Sequence, residues 1–258
     1  MCLRATLFWP GTLLAALLLP AIAVASDDLP GTIAAVKPSV VGIGTMLPTR
    51  APQVVFIATG FIVGDGLSVI SNAHATQAAR AAGETLGIVT GKGSQLAFRP
   101  ASIATVDREH DLVHLRLTGL PLPSLRLAAA PPLEGTSLAF TGFPMGMMLG
   151  LIPATHRATL AAVSPIALPA PTSRSLDARA LRQLKSSSFE IFQLDGTAYP
   201  GNSGSPLYDP ATGEVVGVIN MTVLKGTREG AISSPSGISY AIPARHVAAL
   251  LRQHADAK

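Results

Sequence analysis

The sequence predicts an all-β protein made of two β units and one C-terminal helix. Its 258 residues include 24 glycines and 21 prolines, which are scattered between short apolar runs. Such punctuation favours many short strands joined by turns over a few long helices. One set of runs extends from Pro38 to Leu127 and a second from Thr136 to Ile242, with the aperiodic stretch AAAPPLEG (128–135) between them. We therefore expect two β units joined by a connector.

Local signals at two places support this arrangement. The pair Asp65-Gly66 lies between the runs FIV and LSVI. Both residues tolerate the positive φ of a tight turn, so the pattern predicts a β-hairpin. Near the end of the chain, a helix is expected to begin at Pro243 and to dock on a core through one amphipathic face. That face carries Val247, Leu250, Leu251 and His254.

The first 25 residues have the pattern of a secretory signal peptide. Arg4 is the only charge, an apolar stretch follows, and Ala23-Val24-Ala25 offers a small-x-small cleavage site. An uncleaved membrane anchor is the alternative, because the run from Ala5 to Ala25 is just long enough to span a bilayer. Two prolines and a glycine interrupt that run, which favours cleavage. We expect a periplasmic or secreted bacterial protein with no membrane contact after cleavage.

Composition restricts the chemistry that the chain can perform. Hydrophobic residues make up 48% of the chain and charged residues 13%, which is ample for a buried core. The net charge is +4, but the basic residues are dispersed, so no nucleic-acid partner is expected. The only cysteine is Cys2, inside the expected signal peptide, which excludes a disulfide or a thiol nucleophile in the mature protein. We expect no metal ion and no cofactor, and the sequence does not predict an oligomeric state.

The segment YPGNSGSPLYD (199–209) carries most of the chemical content. Ser203 lies between Asn202 and Gly204, with Gly201 before them. Small neighbours allow a tight loop to present the hydroxyl while backbone N–H groups converge on one point, as acyl transfer requires. Taken alone, a GNSG sequence is more often an ordinary turn between strands.

A base and an acid for such a serine are present upstream. His74 ends the sequence SNAH, which follows the predicted hairpin, although a lone histidine among alanines is more often a packed side chain. The segment VDREHDLVHLRL (106–117) offers Asp107, Glu109 and Asp111. A Ser-His pair needs a buried acid that fixes the imidazole tautomer. The chain order His, Asp, Ser differs from that of subtilisin and the α/β-hydrolases.

These motifs together resemble the HtrA/Deg branch of the trypsin-like serine peptidases. The resemblance is carried by the hairpin followed by NAH, by FQLDGTAYPGNSGSPLYDPATGEVVGVIN, and by GISYAIPARHVAALL. It implies two antiparallel six-stranded β-barrels with a C-terminal helix, forming one peptidase domain over residues 38–251. The implied organisation is a signal peptide at 1–25, an N-terminal segment and first barrel at 26–128, and a linker, second barrel and helix at 129–254. No PDZ domain is expected after the helix.

The resemblance also implies the roles of the site residues. Ser203 matches the nucleophile and His74 the general base, while Asp111 heads the alternating apolar run that follows the orienting acid. Asp107 is the alternative for that acid, although it and Glu109 are typical of solvated turn charges. The oxyanion hole maps to the backbone of Gly201, Asn202 and Ser203, with N–H donors on the first and the last.

Two further features concern the oxyanion geometry and the specificity. Ser205 stands where the family usually has glycine. Glutamyl endopeptidases of the related staphylococcal type share the sequence GNSGSP and therefore carry a serine at the same place. The residues expected to line the primary pocket are neutral and partly apolar, which predicts cleavage after Val, Ala or Leu. They are Thr197, Ile219, Asn220 and Met221.

The function implied is that of an exported serine endopeptidase acting on polypeptide substrates through an acyl-enzyme intermediate. The alternative is a non-catalytic or latent protease-like binding module of the cell envelope. A pseudo-protease would be expected to lack at least one of the three catalytic side chains. All three types are present in the required order, which favours the enzyme.

Overall fold

The computed structural model describes residues 28–77, 83–91, 95–165, 189–220 and 237–256. The expected signal peptide and Met221 lie outside the described residues. So does most of the polar, Pro- and Ser-rich stretch 164–188, for which the sequence predicts a surface loop. Within the described ranges, no helix is long and apolar enough to cross a membrane.

The first six strands form one closed antiparallel barrel in the order β1-β2-β3-β6-β5-β4. A short helix, α1 (Leu29–Val36), precedes them, and α2 (His74–Gln77) follows the third strand. The strands are β1 (Val40–Met46), β2 (Val54–Val63), β3 (Ser68–Asn72), β4 (Thr85–Thr90), β5 (Ala97–Asp107) and β6 (Leu112–Leu117). The predicted hairpin at Asp65-Gly66 is confirmed, because β2 and β3 pair antiparallel and Val63 lies opposite Ser68.

The last six strands form a second closed antiparallel barrel, in the order β10-β11-β12-β9-β8-β7. They are β7 (Ser137–Gly142), β8 (Ala154–Pro165), β9 (Glu190–Asp195), β10 (Pro206–Tyr208), β11 (Val215–Asn220) and β12 (Ile238–Pro243). The terminal helix is α3 (Ala244–Asp256), so Pro243 ends a strand and does not begin the helix as expected. The prediction of two six-stranded barrels with a C-terminal helix is confirmed.

Three groups of buried side chains hold this arrangement together. The first barrel is filled by residues such as Ile43, Ile62 and Leu115. A second group, which includes Phe140, fills the other barrel. The third group joins side chains of both barrels with the terminal helix, including Phe61, Tyr208 and Val247. Each Å² of apolar surface removed from water stabilises the fold by about 25 cal/mol, so this shared core is the main stabilising contact between the two barrels.

Candidate active site

The hairpin of the first barrel delivers His74 to the junction between the barrels. Its turn is held by Asp65, whose Oδ1 accepts from the backbone N–H of Leu67 at 3.1 Å and whose Oδ2 lies 2.8 Å from Nη1 of Arg116. Strand β3 then ends at Asn72, and α2 begins at His74. The histidine therefore leaves a buried strand through a tight turn, which limits the positions that its ring can take.

Asp111 contacts His74 through both carboxylate oxygens. Nδ1 of the imidazole lies 2.6 Å from Oδ2 of Asp111. The backbone N–H of His74 donates to Oδ1 of the same carboxylate at 2.9 Å. A carboxylate accepts but does not donate, so the neutral ring carries its proton on Nδ1 and Nε2 is left as the basic nitrogen.

The backbone of Asp111 is itself fixed in an unusual conformation. Its φ is 52°, a left-handed value that costs energy for any residue with a side chain. Its carbonyl accepts from the backbone N–H of Ala73 at 3.0 Å and from Nδ2 of Asn72 at 3.1 Å. The residues directly before His74 therefore hold the acid that orients it.

Asp107, the alternative acid, is engaged elsewhere. Oδ1 accepts from the N–H groups of Glu109 and His110, both at 3.1 Å. Oδ2 lies 2.6 Å from Nδ1 of His110. The side chain of Asp107 is only 17% exposed, so its interpretation as a solvated turn charge was wrong. It caps the turn that leads to Asp111.

Asn220 contacts the same carboxylate from the second barrel. Nδ2 of Asn220 donates to Oδ2 of Asp111 at 3.0 Å, and the residue is buried. One carboxylate oxygen thus receives donors from both barrels. The sequence pointed to Asn220 as a pocket residue and gave no sign of this bond, since it depends on how the barrels meet.

The structure describes three of the four residues that were expected to line the primary pocket, and not all of them can do so. Side chains alternate along a strand, so Ile219 faces opposite to Asn220. Ile219 is fully buried in the core of the second barrel and cannot line an open pocket, which corrects that expectation. Thr197 is half-buried after the end of β9. Met221 lies outside the described residues.

Ser203 lies in the loop between β9 and β10 and is tied to both barrels. The N–H of Thr59 on β2 donates to the carbonyl of Ser203 at 2.9 Å. The N–H of Gly204 donates to the carbonyl of Ile219 at 2.9 Å, next to the residue that contacts Asp111. Gly204 has a φ of 84°, and a Cβ there would clash with the carbonyl of Thr59. The loop therefore requires glycine after the serine.

The N–H of Gly201, an expected oxyanion donor, has a direction that the preceding peptide fixes. The carbonyl of Pro200 accepts from the N–H of Met145 at 2.6 Å. Because C=O and N–H point in opposite directions across a trans peptide, the N–H of Gly201 is turned away from Met145. Gly201 has a φ of 101°, and a Cβ there would clash with the carbonyl of Phe143. Only glycine fits this position without strain.

The same reasoning separates Asn202 from Ser203. The N–H of Asn202 donates to the carbonyl of Tyr199 at 2.9 Å and is therefore already used, which leaves Gly201 and Ser203 as the expected donors. The carbonyl of Asn202 accepts from the N–H of Ser205 at 3.0 Å, which turns the N–H of Ser203 the other way. Among the described residues, neither Gly201 nor Ser203 donates its N–H to a backbone carbonyl.

Thr59 is a part of the site that sequence reasoning missed. Its Oγ1 donates to the carbonyl of Gly201 at 2.6 Å and accepts from the N–H of Phe143 at 3.0 Å. Together with its backbone bond to Ser203, this makes Thr59 the main polar link between β2 and the nucleophile loop. The only signal in the sequence was that Thr59 lies two residues before the run FIV (61–63) of the predicted hairpin.

Ser205 fits because of a glycine on a neighbouring strand. A Cβ on Gly142 of β7 would clash with Oγ of Ser205 and would come within 2.8 Å of Oδ1 of Asn202. The serine that replaces the usual glycine therefore occupies space left by Gly142, and the loop keeps its path.

Comparisons with known proteins agree with this arrangement. A profile of the trypsin-like peptidase domain matches residues 58–218. The mitochondrial serine proteases HTRA2 of Drosophila pseudoobscura pseudoobscura and Drosophila persimilis are each 27% identical to the chain over 203 residues, which is 77% of this chain and 39% of each relative. The chain thus spans about two fifths of the length of these relatives.

Solved structures show the same fold. The active form of the Rv3671c protease from M. tuberculosis has a TM-score of 0.60 and 23% identity, covering 86% of this chain and 82% of that one. The inactive form of the Rv3671c protease has a TM-score of 0.59 and 21% identity, covering 86% and 91%. With the match over residues 58–218, these findings show that the chain belongs to the trypsin-like peptidase domain family.

Proposed function

We propose that the protein is an exported serine endopeptidase that hydrolyses peptide bonds through Ser203, His74 and Asp111. The observation that carries the proposal is the two-point contact between Asp111 and His74, with Nδ1 of the ring 2.6 Å from the carboxylate. That contact places the proton of the neutral ring on Nδ1 and makes Nε2 its basic nitrogen, which is the tautomer that a serine nucleophile requires. Membership of a peptidase family supports the same conclusion.

In the first half of the proposed reaction, Oγ of Ser203 attacks the carbonyl carbon of the scissile peptide bond. Its proton passes to Nε2 of His74, and Asp111 stabilises the resulting imidazolium. The N–H groups of Gly201 and Ser203 would donate to the oxyanion of the tetrahedral intermediate. Collapse of this intermediate breaks the C–N bond as Nε2 gives its proton to the leaving amine, which leaves an acyl-enzyme.

In the second half, a water molecule replaces the amine. His74 takes its proton, the hydroxide attacks the acyl carbon, and the ester to Ser203 breaks with return of a proton to Oγ. The enzyme then returns to its starting state. Asn220 supports both halves by donating to Oδ2 of Asp111, which holds that carboxylate in place.

The substrates proposed are polypeptides cut after small or medium apolar residues. Thr197, at the position expected to form the floor of the primary pocket, brings no charge that would select Arg, Lys or Glu. The expected signal peptide at 1–25 supports export, and the relatives that match over this domain are named as serine proteases. Sequencing the N-terminus of the protein secreted from bacterial cells tests cleavage after Ala25.

Hydrolysis of a peptide library by the wild type and by Ser203→Ala tests the proposed function. We expect the wild type to cut after Val, Ala or Leu, and the variant to lose on the order of a million-fold in turnover. Undiminished hydrolysis by the variant would overturn the proposal. A folded wild type without activity on any peptide or ester would favour the alternative, a latent or non-catalytic binding module. Cleavage mainly after Arg, Lys or Glu would overturn the specificity alone.

A further inference from the structure

The terminal helix α3 connects the two barrels through pairs of histidines. It follows β12 of the second barrel but also packs against β5 and β6 of the first. The ring of His246 stacks on that of His110, with centroids 3.8 Å apart and planes at 26°. The ring of His254 meets His114 edge-on at 4.9 Å. Phe189 places its ring edge against both members of the stacked pair. Imidazoles titrate near neutral pH, so this interface can respond to acid.

His110 belongs to the turn that delivers the orienting acid. Asp107 caps this turn by accepting from the N–H of His110, and its other oxygen bonds Nδ1 of the ring at 2.6 Å. The next residue is Asp111, held at a φ of 52°. His110 and Asp111 are joined by one peptide bond, so a movement of His110 displaces the backbone of Asp111.

The surroundings of His246 favour its neutral form. Burial, together with repulsion from His110 and Arg245, lowers the pKa of His246 to about 4, and Asp107 acts in the opposite direction. Arg245 is itself bonded to Glu190 of β9 at 3.1 Å. Nε2 of His246 is buried and has no hydrogen-bond partner among the described residues, so a proton there would gain no acceptor.

The direction of the pH effect follows from this lowered pKa. When α3 is undocked, His246 regains its ordinary pKa of 6.5 and takes up a proton before the docked form does. Proton uptake by the undocked form then favours undocking. The stability contributed by the contact is therefore fully present above about pH 6.5 and is lost as the pH falls toward about 4.

We propose that the stacked pair of His110 and His246 is an acid-sensitive positioning contact for Asp111. With His246 neutral, the terminal helix holds the turn at 107–110 in place. A proton on His246 drives the rings apart and releases the turn. The effect on activity rests on the proposed function of Asp111, whereas the opening of the contact does not.

Hydrogen exchange tests the opening without any need for activity. After correction for intrinsic rates, peptides covering 107–111 and 244–256 should lose protection by roughly tenfold to thirtyfold between pH 7.5 and 5, relative to β11. His246→Phe keeps a flat ring that cannot take a proton, and its protection should stay nearly constant. An equal loss in both proteins, or no loss in the wild type, would overturn the proposal.

A fixed charge tests the link to Asp111 at a pH where the wild type is active. At pH 8, His246→Lys should lower kcat at least about tenfold and leave KM nearly unchanged, because the turn moves while the substrate surface does not. His254→Lys is the matched control, since its partner His114 lies within β6 and outside the turn. Its kcat should stay close to that of the wild type.

Three results would overturn either the role of the stacked pair or the proposed function. Equal losses of kcat in the two folded lysine variants would show that helix docking in general matters, and would overturn the role of the stacked pair. An unchanged kcat in folded His246→Lys would also overturn it. If the wild type hydrolyses nothing at pH 8, the proposed function fails, and hydrogen exchange alone decides whether the contact is acid-sensitive.

Discussion

The side-chain nitrogen of Asn220 lies 3.0 Å from Oδ2 of Asp111, the same oxygen that bonds Nδ1 of His74. This bond joins the second barrel to the acid of the first. Among the residues that the structure describes, this oxygen of the half-buried carboxylate faces two side-chain nitrogens, Nδ1 of His74 and Nδ2 of Asn220.

Replacing Asn220 by Ala should lower kcat by about tenfold to a hundredfold, because a hydrogen bond to a charged group contributes roughly 1.5–3 kcal/mol. Gln193→Ala is a matched control, since that amide bonds Ser164 in the same barrel and not the triad. Steady-state kinetics on one peptide substrate compares them. Equal kcat values in the two folded variants would contradict the role of Asn220.

Asp111→Asn should lower kcat by roughly ten-thousand-fold while the fold is kept, because an amide favours the wrong imidazole tautomer. Asp107→Asn retains an oxygen that can cap the turn, so its loss should be far smaller. The two variants are compared by kcat at pH 8. If Asp107→Asn shows the larger loss, the orienting acid has been wrongly assigned.

Gly201→Ala should fold but lose about a hundredfold to a thousandfold in kcat. A Cβ at a φ of 101° would press on the carbonyl of Phe143 and turn an oxyanion donor aside. Gly135→Ala carries similar backbone strain at a φ of 85°, with no atom within 4 Å of its Cβ and no part in the site. Full activity in Gly201→Ala would show that the N–H of Gly201 is not an oxyanion donor.

Because the hydroxyl of Tyr208 is buried, we expect the protein to lose stability at alkaline pH. Burial raises the pKa of Tyr208, and its hydroxyl lies 2.8 Å from Oγ1 of Thr141. The unfolded chain loses the phenolic proton first, so the contribution of Tyr208 is complete below about pH 10 and falls above it.

Unfolding midpoints between pH 7 and 11 test this effect. Tyr208→Phe should be less stable at neutral pH by about 1 kcal/mol, from the lost hydrogen bond, and should show a shallower alkaline decline. Tyr240→Phe, at a half-buried position on β12, serves as the control. Parallel declines in the wild type and Tyr208→Phe would contradict the account.

Local patterns predicted the two β units well, because turn signals separate their strands. The turn at Asp65-Gly66 and the runs that became β2 and β6 could be read without any long-range information. Strand β10, at Pro206–Tyr208, has no apolar run of its own in the sequence, because its three residues follow directly on the glycine-rich loop. Pro243 was read as a helix start because it precedes an amphipathic pattern, although its backbone completes the ladder of β12.

Local motifs suffice to nominate the proposed catalytic residues, whereas contacts that depend on packing leave no mark in the sequence. His74, Asp111 and Ser203 each stand in a distinctive local context. The contact of Asn220 with Asp111 depends on which face of β11 meets the first barrel. The stacking of His246 on His110 joins residues far apart in the chain, and no local pattern marks such a pair.

Labelling with a fluorophosphonate probe, followed by mass spectrometry of the modified peptide, tests the central claim most directly. Such a probe reacts only with a serine made nucleophilic by an adjacent base, because attack requires removal of the hydroxyl proton. The account predicts one label per molecule, located on Ser203, and almost no label in His74→Ala. A folded wild-type protein that takes up no label, or that is labelled elsewhere, would contradict it.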